Sequence, residues 1–175
     1  MEVPKIEFKK ILYTTDLSES GRHAFDYAAS LSNLYHAELT ALHVVEEGPE
    51  LDKRLIGYIK DELWEEIKKR DLQEAIDTLI NRKRENAAIV SKCVEDICET
   101  VQEDLPRDTY VKYNIAVKLG HPVEEIIKFA EKGGYDLIVI GSHGHDTLKD
   151  AMLGNTVRRV LRKSKIPVMV VRLPE

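Results

Sequence analysis

The sequence predicts a single doubly wound α/β domain spanning residues 1–175, a parallel sheet with helices on both faces. Three observations predict it. Short branched-apolar segments alternate with segments of helical period, the pattern of repeated strand–helix units. The run Leu137-Ile-Val-Ile140 has the texture of a strand buried on both faces. That run stops at Gly141-Ser-His-Gly144, and after nine residues Gly154 follows. In open α/β sheets, ligands bind outside the carboxyl ends of the strands, where glycines let backbone approach a phosphate and a helix start offers free N–H groups. The spacing G-x2-G-x9-G is therefore a candidate phosphate site, with a plain tight turn as its alternative.

Each element follows from local pattern. Lys10 to Asp16 is the first strand, ending in a polar turn. Ser18 or Ser20 caps the next helix, whose Ala24, Phe25, Ala28, Leu31 and Leu34 recur at helical spacing. Leu39 to Val45 is a second strand, closed by Glu46-Glu47-Gly48-Pro49. Tyr110 to Lys118 alternates Val111, Tyr113, Ile115 and Val117 with more polar neighbours, the mark of a strand toward the sheet edge. Gly120-His121-Pro122 ends it, and Val123 to Lys132 is helical with Ile126, Ile127 and Ala130 inward. Asp136 to Ile140 is the fourth strand. Thr147 to Lys163 is helical, with Leu148, Leu153, Val157, Val160 and Leu161 on its apolar side and Gly154 just inside it. The last strand is Ile166 to Val171.

Residues 51–105 interrupt the alternation with no strand signal. Leu55, Ile59, Leu63 and Ile67, then Leu72, Ile76, Leu79, Ala87, Val90, Val94, Ile97 and Val101, fit one long or two consecutive amphipathic helices. Two readings stand: helices packed on the sheet and overhanging it, or a projecting hairpin used for subunit contact.

Composition bounds the function classes. A formal charge of −5 with 33% charged residues argues against a nucleic-acid binder that relies on a broad basic surface. No apolar run reaches the length of a membrane span, and no secretory apolar region follows Met1. Cys93 and Cys98, the only two cysteines, are five apart in a helical stretch and lack C-x-x-C spacing. A reduced, cytoplasmic setting is expected.

Among chemistry-bearing residues, Asp16 sits just past a strand end. Its carboxylate there either accepts hydrogen bonds from a ribose or an adenine amino group, or caps the following helix. His143, His145 and Asp146 invite a metal reading, but residues at i and i+2 on a turn seldom converge and no further His/Cys cluster completes a shell. No metal site is expected. G-x-S-x-G, H-E-x-x-H and a P-loop are all absent, so no catalytic constellation emerges. Arg158, Arg159, Arg162 and Lys163 lie late in their helix, where cations favour the dipole, although Arg158 is placed to reach toward a phosphate.

Taken together these stretches resemble the universal stress protein family over nearly the whole chain apart from the middle insertion. The resemblance rests on Lys10-Ile-Leu-Tyr-Thr-Thr-Asp16-Leu-Ser-Glu-Ser20, Leu42-His43-Val44, Gly120-His121-Pro122, Gly141-Ser-His-Gly144 with Gly154, and Pro167-Val-Met-Val-Val171. It implies a five-stranded parallel sheet, a homodimer joined through the last strand (166–172), and ATP binding in members that carry the glycines followed by serine or threonine. Residue by residue it implies that Asp16 contacts the adenosine part and that Val44 meets adenine. Gly141, His143 and Gly144 would line the ribose and phosphate loop, and Gly154 would admit the phosphates. Thr14 stands in this set where proline or alanine is common. The chain departs from the pattern at Asn155, which occupies the serine or threonine position, with Thr156 following out of register. A side-chain amide still donates a hydrogen bond. Retention of the terminal phosphate is the point touched, so ATP, ADP and AMP are alternative occupants, with Mg²⁺ accompanying the phosphates.

The expected function is an adenine-nucleotide-binding regulatory or stress-response module. A slow ATPase or autophosphorylating protein is one alternative, and at most weak ATP hydrolysis is expected, since no base for activating water is evident. A protein-interaction scaffold that has lost nucleotide binding is the other, with the insertion as its contact surface.

Overall fold

A computed structural model describes residues 6–46, 88, 91, 92, 94–96, 98, 99, 111–143 and 153–174. Five parallel strands form one sheet: β1 (Lys10–Thr15), β2 (Glu38–Val45), β3 (Tyr113–Leu119), β4 (Leu137–Gly141) and β5 (Val168–Val171). Their order is β3-β2-β1-β4-β5. The chain thus grows outward from β1 in one direction to β2 and β3, then crosses back to β4 and β5 on the other side. This reversal puts the topological switch point between the carboxyl ends of β1 and β4.

Helix α1 (Glu19–Tyr35) covers one face of the sheet, and α2 (Pro122–Gly133) and α3 (Asn155–Lys163) cover the other. Strand alternation sorts the core accordingly. Ile11, Tyr13, Leu39, Ala41 and Val139 meet Ala24, Phe25, Ala28 and Ala29 of α1. Leu12, Leu42 and Ile138 meet Val123, Ile126, Ala130 and Val160 of α2 and α3. On the α1 side, the Tyr13 and Phe25 rings pack edge to face at 5.2 Å, and the buried Tyr13 hydroxyl donates to the Gly21 carbonyl at 2.8 Å. Burial holds that phenol well above its usual titration range.

Outside residues 51–105, the predicted strands and helices are present, with adjusted ends. Ser18 is the N-cap of α1, its hydroxyl accepting from Gly21 N–H at 3.1 Å, whereas Ser20 lies within the helix. The strand predicted from Tyr110 is β3 and does sit at a sheet edge. Two inward assignments are corrected. Leu34 is 70% exposed, because two steps of three residues carry it about 120° around the helix from Ala28; the inward face runs instead through Ala29 and Ser32. Leu161 is also exposed, and α3 buries Val157 and Val160. The helix predicted from Thr147 begins, where described, only at Asn155. Leu153 and Gly154 are non-helical, and Gly154 is the N-cap rather than an interior residue.

Most of the 51–105 insertion lies outside the described residues. Its described part includes helical positions at which Val94 and Cys98 are fully buried in the α1-side core. Burial pushes the Cys98 thiol up to about 12, so it behaves as a small apolar group.

Candidate functional site

Two turns meet at the switch point. The first follows β1, and its geometry comes from short polar side chains turning back on their own backbone. Thr15 Oγ1 accepts from Leu17 N–H at 3.0 Å, and Asp16 Oδ1 accepts from Ser18 N–H at 3.1 Å. These bonds hold Leu17 at φ 68°, a left-handed conformation that a bulky residue adopts at a cost of roughly 1–2 kcal/mol. Strained backbone of this kind gathers at ligand clamps and active sites. The turn leaves Asp16 exposed at the strand end.

The second turn follows β4. His143 is bracketed by α1: its carbonyl accepts from Ser18 Oγ at 3.3 Å, and its N–H donates to Ser20 Oγ at 3.4 Å. Its Nδ1 lies 2.7 Å from Ser142 Oγ. Ser142 N–H donates to Val171 O at 2.7 Å, and its carbonyl accepts from Gly154 N–H at 2.9 Å. This last bond pins the start of α3 to the end of β4, although nine residues separate Gly144 from Gly154 in sequence. Gly141 itself is packed tightly against α1. A Cβ there would lie 2.6 Å from the Ser20 carbonyl oxygen.

The register places the remaining residues. Thr14 pairs with Leu42 and with Ile140, so these three share one sheet face, the face of α2 and α3. Val44, two residues beyond Leu42 on β2, lies on that face too and is half-buried. Its neighbour His43 turns to the other face, where its Nδ1 meets the Thr15 carbonyl at 2.8 Å. A carbonyl only accepts, so that nitrogen carries the proton. Thr14, Asp16, Val44, Gly141, His143, Gly154, Asn155 and Thr156 thus all stand at the carboxyl end of the sheet. Gly144 lies outside the described residues, as do His145 and Asp146.

The start of α3 differs from the other helix starts. Helix α1 has a side-chain cap and Glu19 in its first turn; α2 lacks a side-chain cap but has Glu124 and Glu125. Helix α3 has neither a side-chain cap nor an acidic residue in its first turn. Among the described residues, no side-chain cap and no first-turn carboxylate offsets its free N–H groups and the positive end of its dipole. Arg158, four residues in, folds its guanidinium back to donate to Asn155 Oδ1, bringing a cation to that same end. The Asn155 carbonyl oxygen is thereby engaged, and the amide's NH₂ is left to donate. An anion is the natural complement to this arrangement. Among the described residues, no group of three His, Cys, Asp or Glu side chains could hold a metal ion.

The sequence pattern marked the glycines and Asp16, and the family resemblance added Val44, but neither showed the roles of Ser18 and Ser20 in tying the two turns together. Read locally, both serines are only candidate caps.

The universal stress protein family model matches residues 7–172. Universal stress protein MJ0577 of Methanocaldococcus jannaschii is 33% identical, over 95% of this chain and 96% of its own length. The solved MJ0577 structure superposes with a TM-score of 0.68 at 32% identity, covering 97% of this chain and 99% of that one. More distant in sequence but alike in fold is a universal stress protein solved in complex with cAMP. It has a TM-score of 0.55 at 18% identity, over 95% of this chain and 98% of that one. Another is the universal stress protein from Archaeoglobus fulgidus in complex with dAMP, with a TM-score of 0.52 at 16% identity, over 95% of this chain and 99% of that one. The fold expectation is met, and with a family match across nearly its whole length this chain belongs to the universal stress protein family.

Proposed function

We propose that this protein is an adenine-nucleotide-binding regulatory module, with its site at the carboxyl ends of β1, β2 and β4. The observation that carries the reading is the start of α3, an uncapped helix end without acidic residues, pinned beside the switch point and flanked by Arg158. Nucleotide phosphates supply the anion that such an end stabilises. Asp16, at the end of the adjacent strand, accepts hydrogen bonds from the adenosine part, and Val44 offers an apolar surface to the base. Gly141, His143 and Gly144 line the loop between, and Gly154, Asn155 and Thr156 receive the phosphates. Two fold relatives hold adenine nucleotides, cAMP in one and dAMP in the other, which supports the ligand class.

ATP, ADP and AMP all fit this reading. Mg²⁺ would arrive bound to the phosphates and retain most of its waters. Binding rather than turnover is the proposed role. Phosphoryl transfer needs a base that orients the attacking nucleophile, and this reading gives Asp16 to the adenosine part instead. The protein is further proposed to form a homodimer through β5. The carbonyls of Pro167 and Val171 accept from Ile138 of β4 and from Ser142 just beyond it, so strand alternation turns the polar backbone of Val168 and Val170 toward the outer edge.

Native mass spectrometry of nucleotide-stripped protein, titrated with ATP, ADP or AMP, tests both parts. The expected result is a dimer that takes up one nucleotide per chain. Protein that takes up none of the three refutes the nucleotide reading, and a 20 kDa species at micromolar concentration refutes the dimer.

A further inference from the structure

Thr14 stands apart from the other hydroxyl side chains buried around the site. Thr15, Ser18, Ser20 and Ser142 all have hydrogen-bond partners. Thr14 is 3% exposed, and its Oγ1 has no partner among the described residues. A buried hydroxyl without a partner costs stability that an apolar side chain of the same shape would not, so its presence calls for a use. Its position supplies one. Thr14 is the last residue but one of the central strand, on the face where α2 and α3 begin, in register with Leu42 and Ile140 and two residues before Asp16. It is a polar spot where the buried core, through Leu42, meets the half-buried Val44.

We propose that the Thr14 hydroxyl is a recognition group for the nucleoside half of the ligand. The assignment rests on the nucleotide reading above and deepens it. The phosphate end belongs to α3, where Arg158 and Asn155 meet. Thr14 lies instead on the strand between Val44 and the β4 turn, beside an apolar surface suited to a flat base. A hydroxyl both donates and accepts, so it satisfies either a purine edge or a ribose hydroxyl, and the bound nucleoside supplies its partner. Recognition and fold stability therefore oppose each other at this residue.

Thr14→Val tests this, because valine keeps the shape and the β-branching that suit a strand while removing only the oxygen. Calorimetric titration with adenosine, AMP, ATP and inorganic tripolyphosphate is compared with the melting temperature of the ligand-free protein. The expected result is about tenfold weaker binding of adenosine, AMP and ATP alike. Tripolyphosphate binding and the ligand-free melting temperature do not fall. Thr14→Ser, which retains the hydroxyl, binds within about threefold of the parent, a difference of well under one hydrogen bond. Unchanged nucleotide affinity in Thr14→Val overturns the assignment while leaving the nucleotide reading intact. So does a lowered ligand-free melting temperature, which would give the hydroxyl a structural partner, or a loss confined to phosphate-bearing ligands. Parent protein that binds none of these ligands refutes the nucleotide reading and this assignment together.

Discussion

At position 141 an alanine Cβ would fall 2.6 Å from the Ser20 carbonyl oxygen and 2.7 Å from its carbonyl carbon. Those are backbone atoms in the first turn of α1, and they do not swing aside as the end of a long side chain would. Gly141→Ala therefore forces β4 and α1 apart, at an expected cost of about 1–3 kcal/mol. Urea denaturation measures it as a lower midpoint; an unchanged midpoint contradicts the close packing. Because Ser20 also holds the His143 amide, the same substitution is expected to weaken nucleotide binding. Gly141 was legible in the sequence through its place in the glycine spacing, but only its ligand-facing reason was. The packing reason depends on which residue of α1 comes to lie opposite, a long-range fact that no local pattern states. Leu34 shows the converse limit. A leucine that nearly keeps the helical period looks inward on a sequence, yet a drift of about 120° around the helix puts it in water.

The start of α3 shows how an element can be tuned against its own stability. Helix ends are normally stabilised by a cap or by acidic residues in the first turn, and α3 has neither. Asn155→Asp would supply the missing charge and give Arg158 an ionised partner. It is expected to stabilise the ligand-free protein by about 0.3–1 kcal/mol, a rise of roughly 1–4 °C in melting temperature. The same carboxylate would repel a phosphate, so ATP affinity is expected to fall by about tenfold or more. Thermal melts and calorimetry on one preparation read both effects. A variant that gains stability and keeps its ATP affinity would place the phosphates elsewhere. Sequence pattern set this helix too early because its apolar period extends back through Leu153 and Leu148. The boundary is fixed instead by the Gly154 amide bonding to Ser142, a contact between turns rather than a helix-breaking residue type.

Across the whole molecule, function follows from strand order. The sequence of elements was legible because strands of branched apolar residues alternate with helices of clear period. The order β3-β2-β1-β4-β5 was not, since adjacency depends on crossovers that leave no local mark. That order brings residues from positions 14, 44, 141 and 154 to one end of the sheet, where β1 and β4 diverge. Among the described residues, no helix is long and apolar enough to cross a membrane, and part of the inserted segment joins the core through Val94 and Cys98. The central claim is that nucleotide phosphates bind at the start of α3, beside this junction. Amide chemical-shift mapping of isotopically labelled protein during an ATP titration tests it most directly. The prediction is that the largest saturable shifts fall on the N–H signals of Asn155, Thr156 and Val157, with the Asn155 side-chain amide moving alongside them. Saturable binding that leaves those amides in place, with shifts concentrated on another surface, would contradict it.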